Sequence, residues 1–332
     1  MPLPTHQHRS YRPALLCLLY LTALLLAGCR PSNPAPAASA AGDTQLSGTL
    51  TISGAFALYP MMQRWAEEFQ ALHPAVQFDV SAGGAGKGMA DALGGLVDIG
   101  MVSREITPEE IAQGAFYVPV AKDAVLPMVS TANPVLARLM QTGVTRETFA
   151  KIFLTGEVTT WGQVIGDPAV TDEIHIYTRS DAAGAPETWA KYLGGAQEDL
   201  LGVAVFGDPG LLEAVIQDPL GIGFNNLGYA YDFESGAPIP GAVPLPLDAN
   251  GNGQADPEEV LADKAQAVSM VAEGHYPSPP ARALNLVTRG QPSGLTGAFL
   301  EWILTDGQQY LPEAGYVTLP QAQLDEALAQ LR

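Results

Sequence analysis

Twelve consecutive residues, Asp248 to Glu259, carry oxygen-bearing side chains at the spacing of a calcium-binding loop. They read Asp-x-Asn-x-Asn-Gly with a Glu six residues after that Gly, which is the pattern of such loops in full. Calcium binds oxygen atoms, and the Gly allows the sharp turn that brings them together. The predicted ligands are the side chains of Asp248, Asn250, Asn252, Asp256 and Glu259 and the carbonyl of Gln254.

The flanks of this loop are expected to differ from each other. Pro257 and Glu258 are predicted to begin a helix running towards Glu273, whereas the entry, Ala242 to Leu247, reads as extended chain. We therefore expect a structural Ca²⁺ that fixes a surface loop, and no cofactor for activity. The alternative is a polar Asn-Gly turn without a metal.

Three further segments join a predicted strand to the start of a predicted helix through a loop that contains glycine. They are Ser53–Pro60, Ser81–Met89 and Thr178–Glu187. Such loops direct backbone N–H groups and the positive end of a helix at one point, and this geometry binds anions. The residues around Lys87 fit neither the nucleoside-triphosphate loop nor the dinucleotide-binding pattern. Tight turns without a ligand remain the alternative.

Composition excludes several classes of function. The chain has 332 residues with 16 Lys or Arg and 35 Asp or Glu, so its formal net charge is −19. Nucleic acid is not expected as a partner, because binding phosphates along a strand needs clustered basic residues. A hydrolase is disfavoured, since His73, His175 and His275 lie near no nucleophile elbow and have no metal-ligand spacing. The chain is therefore predicted not to be an enzyme.

The N-terminus reads as a secretion signal that ends in a lipidation site. A basic region precedes an unbroken apolar run from Ala14 to Ala27, which is shorter than the roughly 18 residues of a membrane span. Leu26-Ala27-Gly28-Cys29 resembles a bacterial lipobox, so residues 1–28 are predicted to be removed and Cys29 to be acylated. Residues 29–45 then form a flexible tether. We expect the protein in the periplasm or at the cell surface, anchored to the membrane by lipid; an ordinary signal peptide is the alternative.

The rest of the chain alternates between strand-like and helix-like segments. Strands are predicted at Gly48–Ser53, Val76–Val80 and Val97–Val102, and helices at Tyr59–Leu72 and Met89–Leu96. This alternation is typical of an α/β fold with a largely parallel sheet.

A series of short motifs then resembles the phosphate-binding proteins of ABC importers, a family with the type 2 periplasmic-binding-protein fold. The resemblance runs from about Leu46 to Leu319, nearly the whole mature chain. The motifs stand in the family's order: Ser53-Gly54 with Tyr59-Pro60, Asp98 to Arg104, Ile152 to Gly156 with Trp161-Gly162, Arg179 to Gly184, Gly221 to Phe224, Tyr276-Pro277, and Gly307-Gln308 with Gly315 to Val317.

The resemblance implies two α/β lobes, each a mostly parallel sheet flanked by helices, with the ligand in the cleft between them. Lobe one would comprise residues 46–125 and 281–332, and lobe two residues 126–280 with the calcium loop. Two hinge strands, Ala124–Ser130 and Arg282–Thr288, would join the lobes. The family captures a small anion, phosphate first, and delivers it to an ABC permease. We expect a monomer.

The resemblance also implies the site residues. Ser103 and Arg104 fall on a ligand loop of lobe one, and Arg179 and Asp181 on that of lobe two. Arg179 would bind the anion, and Asp181 would accept a hydrogen bond from the proton of hydrogen phosphate; the alternative is that the two pair locally. The remaining predicted ligand residues contribute through their backbone: Gly54, Ala55, Phe56, Gly84, Ala85, Gly86, Ala183, Gly184 and Ala185.

Three of the family's hydroxyl positions are absent from these loops. Ala183 and Ala185 stand where relatives carry Ser and Thr, and the first loop reads Gly54-Ala55-Phe56 where many relatives have hydroxyl residues. A hydrogen bond to a charged ligand is worth roughly 1.5–3 kcal/mol. A different small anion, an organic acid, or a calcium-stapled surface scaffold without a transport role therefore stay open as alternatives to phosphate.

Overall fold

The computed structural model describes residues 46–332, and all structural statements below refer to them. The described region forms nine strands. They are β1 (Gly48–Gly54), β2 (Val76–Ala82), β3 (Ile99–Val102), β4 (Ala115–Ser130), β5 (His175–Arg179), β6 (Val203–Val205), β7 (Gly221–Asn226), β8 (Ala242–Pro244) and β9 (Ala281–Arg289).

Twelve α-helices accompany these strands in the same region. They are α1 (Tyr59–Leu72), α2 (Ala85–Gly94), α3 (Pro108–Ala112), α4 (Leu136–Thr142), α5 (Arg146–Ala150), α6 (Trp161–Ile165), α7 (Gly184–Leu193), α8 (Gly207–Gln217), α9 (Leu227–Ala230), α10 (Lys264–Glu273), α11 (Gly294–Leu304) and α12 (Gln321–Leu331). Short 3₁₀ turns lie at Phe56–Leu58, Gln197–Asp199 and Asp306–Tyr310, and a π-turn at Lys151–Thr155. None of the helices in residues 46–332 has the length and apolar character needed to cross a membrane.

The strands follow the order β2-β1-β3-β9-β4-β7-β5-β6, and β8 pairs with β4. Pairs at the two ends of this order are parallel, whereas every pair that involves β4 or β9 is antiparallel. The predicted α/β class is confirmed. The sheet is mixed rather than mostly parallel, because the two long strands in its centre run against their neighbours.

β4 links the two ends of the sheet. Its 16 residues pair with β9 from Ala115 to Ala124 and with β7 from Val125 to Val129. Both faces are buried over the second part of the strand, which explains the continuous apolar sequence there. The predicted hinge segment Ala124–Ser130 is thus the second part of β4, and Arg282–Thr288 lies inside β9.

Two hydrophobic cores lie on the two sides of this junction. The first draws its residues from 50–121 and 284–327 and centres on aromatic side chains that include Trp65, Phe69 and Phe299. The second draws on 124–281 together with Val317. We call residues 46–123 and 282–332 the first half and residues 124–281 the second half. That these halves are lobes that open and close, with the boundaries given above, stays a prediction.

Local sequence signals account for most elements near the site. α1 begins and ends at the predicted residues, because Pro60 suits a first helical turn and the buried Trp65 and Phe69 form one face. α2 starts at Ala85, four residues before the predicted Met89, so two glycines assigned to a loop lie in the helix. The predicted start of the next helix at Pro257 is wrong, because α10 begins at Lys264. Asp263 is its N-cap, and the Asp263 carboxylate accepts a hydrogen bond from Gln266 N–H.

Candidate functional site

In the first half, the loop after β1 packs against the start of α2 and the end of β3. Gly54 has φ +134°, and a Cβ there would lie 2.8 Å from the Cα of Gly88 and against the Met101 backbone. The Gly54 carbonyl accepts N–H groups from Gly83 at 2.9 Å and Gly84 at 3.0 Å. Glycine is therefore required so that the two predicted ligand loops, Gly54–Phe56 and Gly84–Gly86, can touch.

The loop between β5 and α7, which belongs to the second half of the chain, supplies the other side of the site. Residues of the first half pack directly against it. Gly86 N–H donates to the Ala182 carbonyl at 3.0 Å. A Cβ at Gly84 would lie 2.8 Å from that carbonyl, and one at Gly184 would overlap Ser103. Three predicted ligand loops thus meet at one place, with α2 and α7 both beginning there.

Arg179, the last residue of β5, is the charged centre of this meeting point. Its side chain is 1% exposed. Nε and Nη2 donate to the two carboxylate oxygens of Asp181 at 2.8 and 2.5 Å, and Nη1 donates to Asp208 Oδ2 at 2.6 Å. The Phe56 ring covers the guanidinium, with its centroid 5.3 Å from Cζ. The local Arg179–Asp181 pair, open as an alternative from the sequence, is present, and a second carboxylate joins it.

Asp208 connects Arg179 to a chain of buried polar groups. Its Oδ1 accepts from Asn226 Nδ2 at 2.5 Å, and the Asn226 amide oxygen accepts from Arg282 Nη2. Arg282 in turn donates from Nε to the Ser103 carbonyl at 3.1 Å. This chain runs from the second half to the first, so it links the two sides of the site.

The chain ends at Asp123, a carboxylate buried in β4. Asp123 Oδ2 lies 3.5 Å from Arg282 Nη1, and within residues 46–332 neither atom has a hydrogen-bond partner. Burial raises the pKa of Asp123 to about 6, although Arg282 and the Ala124 N–H oppose that rise. Burial also raises the pKa of Asp208, against the lowering effect of Arg179. Ionised carboxylates are costly here because little water reaches them.

Arg104, the other predicted ligand arginine, is held by different partners. Its two Nη atoms form a bidentate pair with Glu110 at 3.0 and 2.7 Å, and Nε lies 3.3 Å from Glu187. Arg104 lines a cavity of about 740 Å³ between the halves, together with Tyr117, Glu187, Lys191, Arg282 and Gln323 among others. No other predicted ligand residue lines that cavity. The space therefore lies beside the converging loops, which are closed on each other.

Comparisons with known proteins place this geometry in a family. A sequence profile described as a PBP superfamily domain matches residues 39–307, most of the chain. The chain belongs to that superfamily. It is 26% identical to the phosphate-binding protein PstS of Bacillus subtilis, over 91% of this chain and 92% of that protein. It is also 26% identical to PstS of Pseudomonas aeruginosa, over 86% and 88% of the two chains.

Solved structures agree on the fold. A phosphate ABC transporter substrate-binding protein of Clostridium perfringens with bound phosphate superposes with a TM-score of 0.66 at 22% identity, covering 82% of this chain and all of that one. A phosphate transport receptor of Vibrio cholerae gives 0.59 at 21% identity, with the same coverage. The predicted resemblance is confirmed. Both PstS relatives are named phosphate-binding proteins, and the expectation that the chain is not an enzyme is confirmed.

Sequence reasoning missed Asp208, Asn226 and Arg282 as members of the site. Asp208 lies 29 residues after Arg179 at the start of α8, and its only signal was a Gly-Asp-Pro-Gly turn typical of a helix start. Among the predicted backbone residues, Ala183 and Ala185 are buried at the start of α7. The ligand roles of all predicted residues stay predictions.

The calcium loop is folded around its first and last carboxylates. Asp248 accepts backbone N–H groups from Gly251, Asn252 and Gly253 at 2.7 to 3.1 Å. Glu259 accepts from Ala249 and Asp256, at 2.7 and 3.1 Å. Within residues 46–332 no three His, Cys, Asp or Glu side chains are grouped closely enough to hold a metal. The donor set is all oxygen, as calcium requires, but backbone N–H groups occupy these oxygens in this arrangement.

The predicted signal sequence (residues 1–28) and the tether (residues 29–45), which begins with Cys29, lie outside the described residues.

Proposed function

We propose that the chain is an extracytoplasmic solute-binding protein that captures phosphate, or a related oxyanion, between its halves and delivers it to an ABC permease. Two relatives that match over most of both chains are named phosphate-binding proteins. The observation that carries the proposal is the convergence of Gly54–Phe56, Gly84–Gly86 and Asp181–Ala185 around Arg179.

Helix geometry supports an anion at this place. α2 and α7 have ten residues each and begin on opposite sides of the contact between the halves. The first N–H groups of a helix have no partner within the helix, and they carry partial positive charge. An anion between them would be bound mainly by backbone dipoles, so the acidic surface of the protein would not prevent binding.

Closure would follow from the same contacts. Gly86 N–H already donates to the Ala182 carbonyl, and Arg282 donates to the Asn226 amide oxygen, so the described arrangement is one with the halves together. For a ligand to enter, these contacts must break, and a ligand that touches both halves then favours the closed form. The predicted hinge strands, Ala124–Ser130 in β4 and Arg282–Thr288 in β9, would then carry the movement.

Missing hydroxyl groups limit the affinity we expect. Ala183 and Ala185 offer only their N–H groups, and Arg179 is already bound by two carboxylates. We therefore expect weaker phosphate binding than a hydroxyl-rich loop would give. A small organic acid is the second candidate, because the Phe56 ring brings apolar surface against the guanidinium.

Calorimetry of residues 46–332 against phosphate, sulfate, molybdate and small carboxylates tests the proposal. Saturable phosphate binding with one site per chain is expected. Saturation by a carboxylate alone would favour the second candidate, and absence of binding to every anion in the panel would refute the proposal.

Membrane attachment would follow from acylation of Cys29, with the protein outside the cytoplasmic membrane as a monomer. The support is the lipobox-like sequence before Cys29. Incorporation of labelled fatty acid into the full-length protein is expected. Equal labelling of a Cys29→Ala variant would refute acylation at this residue.

A structural calcium ion is proposed for the Asp248–Glu259 loop. Binding requires Glu259 to exchange its bonds to Ala249 and Asp256 for the metal, which the oxygen-only donor set permits. Calcium is expected to raise the melting temperature of the wild type and of Glu258→Gln, a matched control outside the ligand set. Glu259→Gln is expected to lose that rise. An equal calcium effect in both variants, or no effect in the wild type, would contradict the proposal.

A further inference from the structure

The buried charged groups around Arg179 include more carboxylates than arginines. Asp181 and Asp208 both bind its guanidinium, and their side chains are 7% and 2% exposed. Arg282 and Asp123 add one charge of each sign within the same connected chain. Two arginines thus face three carboxylates, so with every group ionised the buried cluster is negative.

Asp208 is the least adjustable of these carboxylates. Asn226 Nδ2 binds its Oδ1, Asn225 Nδ2 donates to its carbonyl at 3.0 Å, and its backbone lies in the first turn of α8. These bonds hold its carboxylate beside Arg179. The titratable and charged groups that face Asp208 from the surrounding elements are Arg179, Asp181, Arg282, Asp123, Tyr229 and Tyr316.

We propose that Asp208 sets the ionic charge that the site accepts, so that it takes a singly charged, protonated oxyanion in preference to a doubly charged one. The inference rests on the proposed function, since it concerns the anion held between the same loops. For inorganic phosphate the bound form is the dihydrogen ion. Asp208 is a specificity-determining residue here and acts through Arg179.

The physical reason is the competition for one guanidinium. Three of the five N–H groups of Arg179 already point to carboxylates, so an anion receives only part of its positive charge. A second negative charge on the ligand would face Asp208 across a poorly screened interior, where two like charges repel strongly. Protonation of the ligand removes that repulsion and adds a donor for a carboxylate oxygen.

The test is calorimetry with inorganic phosphate across neutral pH, where phosphate loses its second proton. Wild-type affinity is expected to fall as the pH rises through this range. Asp208→Asn keeps the shape of the side chain and removes its charge, and it is expected to bind phosphate on the order of tenfold more tightly at mildly alkaline pH. Glu213→Gln removes a carboxylate from the exposed face of the same helix and should behave as the wild type.

Sulfate binding to the wild type provides a second measurement, which does not depend on whether a variant folds. Sulfate stays doubly charged throughout this pH range. The wild type is expected to bind sulfate weakly at every pH. Three results would each overturn this inference while leaving anion capture intact. They are a phosphate affinity that is constant or rises with pH, a sulfate affinity equal to that for phosphate, and a folded Asp208→Asn variant with unchanged affinity. Absence of binding to phosphate and sulfate in all variants would instead refute both proposals.

Discussion

Two arginines at or just after the end of a strand, Arg179 in β5 and Arg104 after β3, have different environments at the contact between the halves. Arg179 is 1% exposed, and one of its partners, Asp208, comes from a helix 29 residues away. Arg104 is 14% exposed, and its main partner, Glu110, lies six residues away in the capping box of α3. Arg179 is therefore buried and connects segments that are distant in sequence, whereas Arg104 mainly contacts the neighbouring start of α3.

This difference determines what each arginine can do. Electrostatic interactions are strong where water is excluded, so the balance of charges around Arg179 affects both the stability of the fold and the charge of the anion that can bind. Glu110 raises the pKa of Arg104, and Glu187, whose own pKa is raised by burial, stays partly exposed beside it. Solvent weakens such pairs, so Arg104 can change partners at little cost.

Arg179→Met should have the largest effect. It leaves Asp181 and Asp208 buried without a cation, and breaking a buried ion pair in this way costs about 3 to 5 kcal/mol of unfolding free energy. Urea denaturation measures this loss, and calorimetry should show that phosphate binding is abolished. A loss below about 1 kcal/mol would mean that the cluster is not the rigid, water-excluded centre described above.

Asp123 should give a pH-dependent effect of intermediate size. Its pKa rises from 3.8 to about 6 on folding, so the folded state binds more protons between these values and stability falls as the pH rises through them. Relative to that of Asp123→Asn, the unfolding free energy of the wild type should fall by about 2 kcal/mol from about pH 4 to about pH 7. A constant difference would show that the carboxylate has access to water.

Arg104→Met should have the smallest effect. The ion pair with Glu110 is partly exposed, and we expect a loss of about 1 kcal/mol or less, which diminishes at high salt. Urea denaturation at two salt concentrations measures it. A loss as large as that of Arg179→Met would remove the distinction between the two arginines.

The sequence predicted the parts of this site that depend on neighbouring residues. The strand predicted at Gly48–Ser53 and the helix at Tyr59–Leu72 follow from local periodicity, and an Arg179–Asp181 pair is readable because a single residue stands between its members. Asp208 and Arg282 could not be predicted. Their places depend on how β5, α8 and β9 come together, which spacing along the chain does not encode.

A crystal structure of the protein with saturating phosphate tests the central claim most directly. The account predicts one anion between Gly84–Gly86 and Asp181–Ala185, within hydrogen-bond distance of Arg179 and of the first N–H groups of α7. An anion found instead in the cavity beside Arg104 and Lys191, with the loops still closed on Arg179, would contradict it.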